Sequence, residues 1–261
     1  MTTFAIGDVN GDYKTLLQLL EIIQFDKEQD QLWFSGNLVN GGSDSLAVLR
    51  FVKQLDKQAA CVLGTQELRL LAIAENIFDA SPDDTFNDVL EAEDREELLK
   101  WLRNRPFLKH GLGYTLVNAG IPAEWSLSQA LTLAMEAETS LSMGNHKTYL
   151  ENMFIDSPTR WHAKHRGWKR VRFITNAFTR IRYYNESGRV EFETPTTSTD
   201  QSRKLTPWYR MENRAMANQN IIFGFWPGSE NDSVPGIYPL AKNNNTIAAL
   251  KLCPQPILYQ V

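Results

Sequence analysis

Apolar and polar positions along the first third of the chain switch between two periods. Residues 3–6 form a short strand-like run with no polar break after Thr3, as expected of a strand covered on both faces. Residues 12–24 then carry Leu16, Leu17, Leu19, Leu20 and Ile23 at helical spacing. A second strand is predicted over 31–34. A second helix follows over 45–55, with Leu46, Leu49 and Val52 on one face and Ser43 or Asp44 as its N-terminal cap. A third strand over 59–63 and a third helix over 67–78 complete the series. This β-α-β-α-β-α order implies a largely parallel sheet with short loops at the strand ends.

The pattern changes after residue 80. A charged helix with Leu98, Leu99 and Leu102 on one side is predicted over 91–104, then a strand over 114–117 and a helix over 126–139. The stretch 142–170 is polar and aromatic, with Trp161 and Trp168. Residues 80–110 and 126–170 are therefore expected to form a mainly helical cap inserted in one domain spanning 1–261. Residues 193–202, rich in Thr and Ser, predict a loop, and 221–261 predict three or four short strands split by Pro-Gly and Asn-rich turns.

At 43% hydrophobic and 22% charged residues, the 261-residue chain has enough apolar material for a full α/β core. The net charge of −4 removes a global basic footprint for nucleic acid and leaves only a local patch open. Cys61 and Cys253 both adjoin apolar residues and are expected to be buried thiols rather than a disulfide or a metal pair, which fits a reducing compartment. The chain enters its first strand with no basic and apolar leader, and it has no run of 18 apolar residues. A cytoplasmic location without a membrane partner is the resulting expectation.

Ligands of such sheets bind beyond the carboxyl ends of strands. Those loops read Gly7-Asp8-Val9-Asn10-Gly11, Gly36-Asn37-Leu38-Val39-Asn40-Gly41-Gly42, Gly64-Thr65-Gln66-Glu67, Val117-Asn118-Ala119-Gly120 and Phe223-Gly224-Phe225-Trp226. In order and spacing the series resembles the metallophosphoesterase signature Gly-Asp-x-His-Gly, Gly-Asp-x-x-x-Arg-Gly, Gly-Asn-His-Asp/Glu, His-Ala-Gly and Gly-His. The run from Arg172 to Arg182, with Lys100-Trp101-Leu102-Arg103 and Gly236-Ile237-Tyr238, is similar to the bacterial symmetrical diadenosine tetraphosphatase branch. The resemblance spans nearly the whole chain. It implies an α/β fold of metallophosphoesterase type, a β-sandwich flanked by helices and carrying the inserted cap.

The resemblance also implies a dinuclear centre, in which two divalent cations lower the pKa of bound water and clamp phosphate oxygens. Matched to that pattern, the first ligand Asp stands as Asp8. The first His position is Asn10, the bridging Asp position is Asn37, and the ligand Asn position is Thr65. The two remaining His ligand positions are Asn118 and Phe225. The phosphate Arg position is Gly41 and the general-acid His position is Gln66. One ligand of six persists, and His110, His146, His162 and His165 match none of the positions.

A neutral amide does not bridge two dications as a carboxylate does, so the substitutions predict loss of the Mn/Co-type dinuclear centre. They leave room for a single weakly held Mg²⁺ or Ca²⁺ on Asp8 and amide oxygens. No other cofactor is expected. The leading expectation is a pseudoenzyme that binds a nucleotide, a phosphate ligand or a protein partner through Asn10, Asn37, Asn118, Arg180 and Arg182. Trp161, Trp168, Trp208 and Tyr209 are stacking candidates that core packing would explain equally well. Two alternatives stand beside it. One is an active hydrolase with a reduced metal site, drawing on Asp8, Asp12 and Glu67. The other is a structural subunit whose old metal space is filled by Phe225.

Overall fold

In the computed structural model the described residues are 1–143, 145–192, 204–224, 233–240, 246–253 and 255–261. The apolar run becomes strand β1 (Thr3–Ile6), followed by α1 (Tyr13–Ile22), β2 (Gln31–Phe34), α2 (Ser45–Gln54), β3 (Ala59–Cys61) and α3 (Thr65–Ala74). Strands β1, β2 and β3 pair in parallel. Two C-terminal strands extend the other side of β1: β11 (Ala248–Lys251) antiparallel to it, and β12 (Ile257–Gln260) antiparallel to β11. The sheet is thus mixed, with order β12-β11-β1-β2-β3, rather than largely parallel.

A second sheet holds β4 (Leu108–Gly111), β5 (Tyr114–Val117), β9 (Asn220–Phe223) and β10 (Ile237–Pro239) in the order β10-β9-β5-β4. The two sheets face each other across Ala5, Trp33 and Val62 on one side and Tyr114, Leu116 and Ile222 on the other. Successive strand residues point to opposite faces. Phe4, Ile6, Leu32 and Phe34 therefore enter a second, larger core beneath the helices. Burial on both faces is why β1 and β2 read as short apolar runs.

Residues 80–110 lie between the first helical layer and α6 (Leu127–Ser142), touching both. Helices α4 (Asn87–Leu90) and α5 (Arg95–Arg103) pack on α2 and α3 through Leu98, Leu99 and Leu102. Surface pairs Arg50–Asp94 at 2.6 Å and Lys53–Glu97 at 2.5 Å decorate that contact. Strand β4 escapes periodicity because Leu108-Lys109-His110-Gly111 holds one large apolar residue. It is recruited by β5 through a tight turn in which Leu112 and Gly113 both have positive φ.

A three-helix unit does form from α6 (Leu127–Ser142), α7 (His146–Met153) and α8 (Gly167–Arg180), which pack on one another. Between α8 and β9, the small strands β6 (Tyr183–Tyr184), β7 (Val190–Glu191) and β8 (Thr206–Pro207) make a third sheet. Trp208 and Tyr209 are core residues, the first edge-on to Phe223 and the second stacked on it, and are not offered to a ligand. Cys61 is buried, whereas Cys253 is exposed, against expectation. The predicted loop 193–202 lies outside the described residues. Among the described residues no helix is long and apolar enough to cross a membrane.

Candidate functional site

The loops after β1, β2, β3 and β5, with Gly224 at the end of β9, converge at one end of the sandwich. Asn10 N–H bonds Asn37 O at 2.8 Å, Gly11 N–H bonds Leu38 O at 2.8 Å and Gly42 N–H bonds Asn10 O at 2.6 Å, so the first two loops are zipped together. Asn10 and Asn37 both sit at φ +49°, a left-handed conformation that asparagine tolerates better than most residues.

Glu67 holds the third loop to the second. Its carboxylate is fully buried and accepts from Gly64 N (2.8 Å), Asn37 N (2.9 Å) and Leu38 N (2.6 Å). Burial pushes its pKa up, and the three amides pull it back only in part. The carboxylate also caps α3, which begins at Thr65 rather than at Glu67. Asp12 likewise caps α1, accepting from Thr15 N at 2.9 Å. Both carboxylates are thus committed to backbone geometry.

At the centre, Asp8 accepts from Ser35 Oγ at 3.2 Å through Oδ1 and from Asn37 Nδ2 at 2.8 Å through Oδ2. The orientation of the Asn37 amide is set by its surroundings. Its Oδ1 receives Gln66 N–H at 3.2 Å and Thr65 Oγ1 at 3.4 Å, which leaves only the NH₂ to face Asp8. Asn118, 4% exposed, donates from Nδ2 to Ser35 O at 2.8 Å. A Cβ placed on Gly64 would fall 2.4 Å from Asn37 Oδ1 and 2.8 Å from Asn118 Nδ2, so a bare backbone is required there.

This donor set does not fit the dinuclear centre that the sequence resemblance implies. A bridging carboxylate would turn an oxygen toward the cations, whereas Asn37 donates an N–H to Asp8. Among the described residues no group of three or more His, Cys, Asp or Glu side chains converges. His110 meets Thr115 Oγ1 at 3.0 Å, His146 meets Glu75 Oε1 at 2.7 Å, and His162 and His165 lie in the loop before α8. Phe225 falls outside the described residues.

The sequence-predicted ligand residues are only partly brought together. Asn37 and Asn118 meet over Gly64, but their amides are engaged with the protein itself. Asn10 is exposed on the rim, beside Gly41. Arg182 is half-buried, and burial pulls its pKa down, with Asp8 the main carboxylate opposing that shift. Arg180 turns elsewhere, pairing with Asp156 at 2.6 Å and lining a cavity of 180 Å³ with Thr65, Gln66, Arg69 and Phe154.

A network around Gln66 escaped the sequence reading. Asn40 Nδ2 donates to Gln66 Oε1 at 2.9 Å and to Asp84 Oδ1 at 3.0 Å, and Arg69 grips both oxygens of Asp84 at 2.8 and 2.6 Å. The partners lie 15 to 44 positions apart, so no local pattern reveals them. The Arg69 guanidinium holds the Asp84 carboxyl below the usual carboxylate range. The stability it adds is full above the unfolded pKa of about 3.9 and is lost as pH falls through the lower folded value. Asp84→Asn is expected to cost about 2 kcal/mol at pH 7. In urea titrations, the gap from wild type should begin to narrow below about pH 3.9. A gap that persists unchanged to pH 3 would refute the assignment.

A model of the calcineurin-like phosphoesterase family matches residues 1–141, more than half of the chain. The chain belongs to the calcineurin-like phosphoesterase family. The chain is 45% identical over 226 residues to the symmetrical bis(5'-nucleosyl)-tetraphosphatase of Methylococcus capsulatus, covering 87% of this chain and 81% of that protein. It is 40% identical to the protein of the same name from Cellvibrio japonicus, covering 92% and 90%. The crystal structure of a candidate diadenosine tetraphosphatase superposes with a TM-score of 0.65 at 15% identity, covering all of this chain and 92% of the other. That likeness agrees with the α/β sandwich described above.

Proposed function

We propose that this chain is a non-hydrolytic member of the tetraphosphatase branch, which binds a nucleotide or phosphate-bearing ligand, or a protein partner, at the strand-end cleft. The observation that carries the reading is the 2.8 Å bond from Asn37 Nδ2 to Asp8 Oδ2, with the amide oxygen held by Gln66 N–H. It satisfies the remaining acidic ligand position with a hydrogen-bond donor instead of a cation. Exposed Asn10 on the rim and Arg182, whose charge acts on Asp8, are the groups near the cleft for an anionic ligand, while Arg180 serves the neighbouring cavity. A cytoplasmic setting is part of the same reading.

A working dinucleoside tetraphosphate hydrolase is the second reading, and the names of relatives at 37–45% identity favour it. It would need Asp8 to hold a single hard cation with neighbouring amide oxygens, in place of the two-cation centre. Calorimetric titration with Mn²⁺, Mg²⁺ and Co²⁺, run beside a diadenosine tetraphosphate hydrolysis assay and an Asp8→Ala control, separates the two. The expected result is no saturable metal binding and no turnover above the Asp8→Ala background. Turnover that Asp8→Ala abolishes would overturn the non-hydrolytic reading and establish the hydrolase.

A further inference from the structure

The segment between Asp156 and Glu186 contains eight Lys and Arg residues and no Asp or Glu, in a chain whose net charge is −4. The structure gathers part of this charge on one face of the helical cap. The loop before α8 folds on itself, with His165 N–H on His162 O at 2.9 Å and Lys164 N–H on His162 Nδ1 at 3.1 Å. The His162 and His165 rings lie 5.8 Å apart. Arg166 curls over Ala163 O and His165 O at 2.9 Å each. Burial lowers the His165 pKa, and Lys169, His162 and Arg170 lower it further, which places all four groups in one positive field.

Neutralisation of this face is incomplete. Arg170 is paired with Glu136 at 2.7 Å, but among the described residues no carboxylate pairs with Lys164, Arg166 or Lys169. Lys164, Arg166 and Lys169 are exposed. The first turn of α8 has no acidic residue and no side-chain cap. Basic residues there oppose the helix dipole, an arrangement that a bound anion would relieve. Trp168, 37% exposed, stands in the same turn with its ring edge toward Tyr149 at 6.4 Å.

We propose that this face, formed by His162, Lys164, Arg166, Trp168 and Lys169, is a docking surface for single-stranded nucleic acid. The cluster of exposed cations without a carboxylate partner suits the polyanionic phosphodiester backbone, and the exposed indole provides a platform on which any base can stack. An acidic protein surface would be matched by the cations alone and would make no use of the indole. The surface lies on the cap, and its assignment does not depend on how the strand-end cleft is read.

Fluorescence anisotropy with labelled oligouridylate and oligothymidylate, titrated with the full chain between 50 and 200 mM KCl, tests the assignment. Binding should weaken steeply with salt. The triple variant Lys164→Ala, Arg166→Ala, Lys169→Ala should bind at least about tenfold more weakly. Its log–log salt slope should be smaller by about 2, since each phosphate contact on a single strand contributes about 0.7. Trp168→Ala should lose about tenfold in affinity with an unchanged salt slope, as expected for stacking. All these side chains are exposed, so circular dichroism should report the same fold. Binding of polyglutamate as tight as that of the oligonucleotides would overturn the proposal, as would variants that bind like wild type or no binding at 50 mM KCl.

Discussion

Asn37→Asp should lower the stability of the protein by about 3 kcal/mol at pH 7, or roughly 6–12 °C in melting temperature. The bond from Asn37 Nδ2 to Asp8 Oδ2 at 2.8 Å would become a contact between two carboxylate oxygens. At an effective dielectric constant of about 20, two unit charges that close repel by about 5 kcal/mol. Sharing one proton would relieve part of this and raise the apparent pKa of the pair. Raised acid pKa values mean that the folded state holds protons more tightly than the unfolded chain, so the deficit should shrink as pH falls. Millimolar Mn²⁺ should also restore stability, because a cation would then meet two carboxylates. Differential scanning fluorimetry of both proteins, with and without Mn²⁺, reads all three effects. Equal melting temperatures without metal would show that the amide is not engaged with Asp8.

Glu67→Ala should be the most damaging single change among the strand-end residues, costing about 4 kcal/mol. Three backbone N–H groups lose one shared acceptor. Each buried donor left without a partner costs about 1–3 kcal/mol, and water entering the vacated space recovers part of the total. Glu67→Gln should fall between variant and wild type, since one oxygen remains while the amide NH₂ faces a donor. Guanidinium denaturation of the three proteins measures the series. A loss below 1 kcal/mol for Glu67→Ala would mean that the loops hold their shape without the clamp.

The first half of the fold was legible because each of its elements has one dominant local signal. β1, β2 and β5 match their predicted spans, and α1 and α2 differ only at their ends. The mixed sheet was not legible, since the pairing of β11 with β1 joins residues about 245 positions apart with no local mark. Strand β4 was lost for a local reason, since Leu108-Lys109-His110-Gly111 carries one large apolar residue, and the packing of α5 on α2 and α3 joins segments with no local mark. The candidate site shows a sharper division. Substitutions at Asn10, Asn37, Asn118 and Thr65 could be listed from the motifs, and so could their poor fit to cations. The motifs could not show that the Asn37 amide turns toward Asp8, because that orientation is fixed by Gln66 N–H and Thr65 Oγ1 across the loop. They also set Asn10, Asn37, Asn118 and Arg180 together as one pocket, which the structure divides among an interior network, an exposed rim and a neighbouring cavity.

The bond between Asn37 and Asp8 closes the strand ends with material the chain carries from synthesis. On the non-hydrolytic reading proposed above, assembly of this region would wait on no ion from the medium. Treatment with a chelator should leave its shape and unfolding curve unchanged, and the amount of finished protein should follow translation alone, indifferent to the manganese or cobalt supply of the cell.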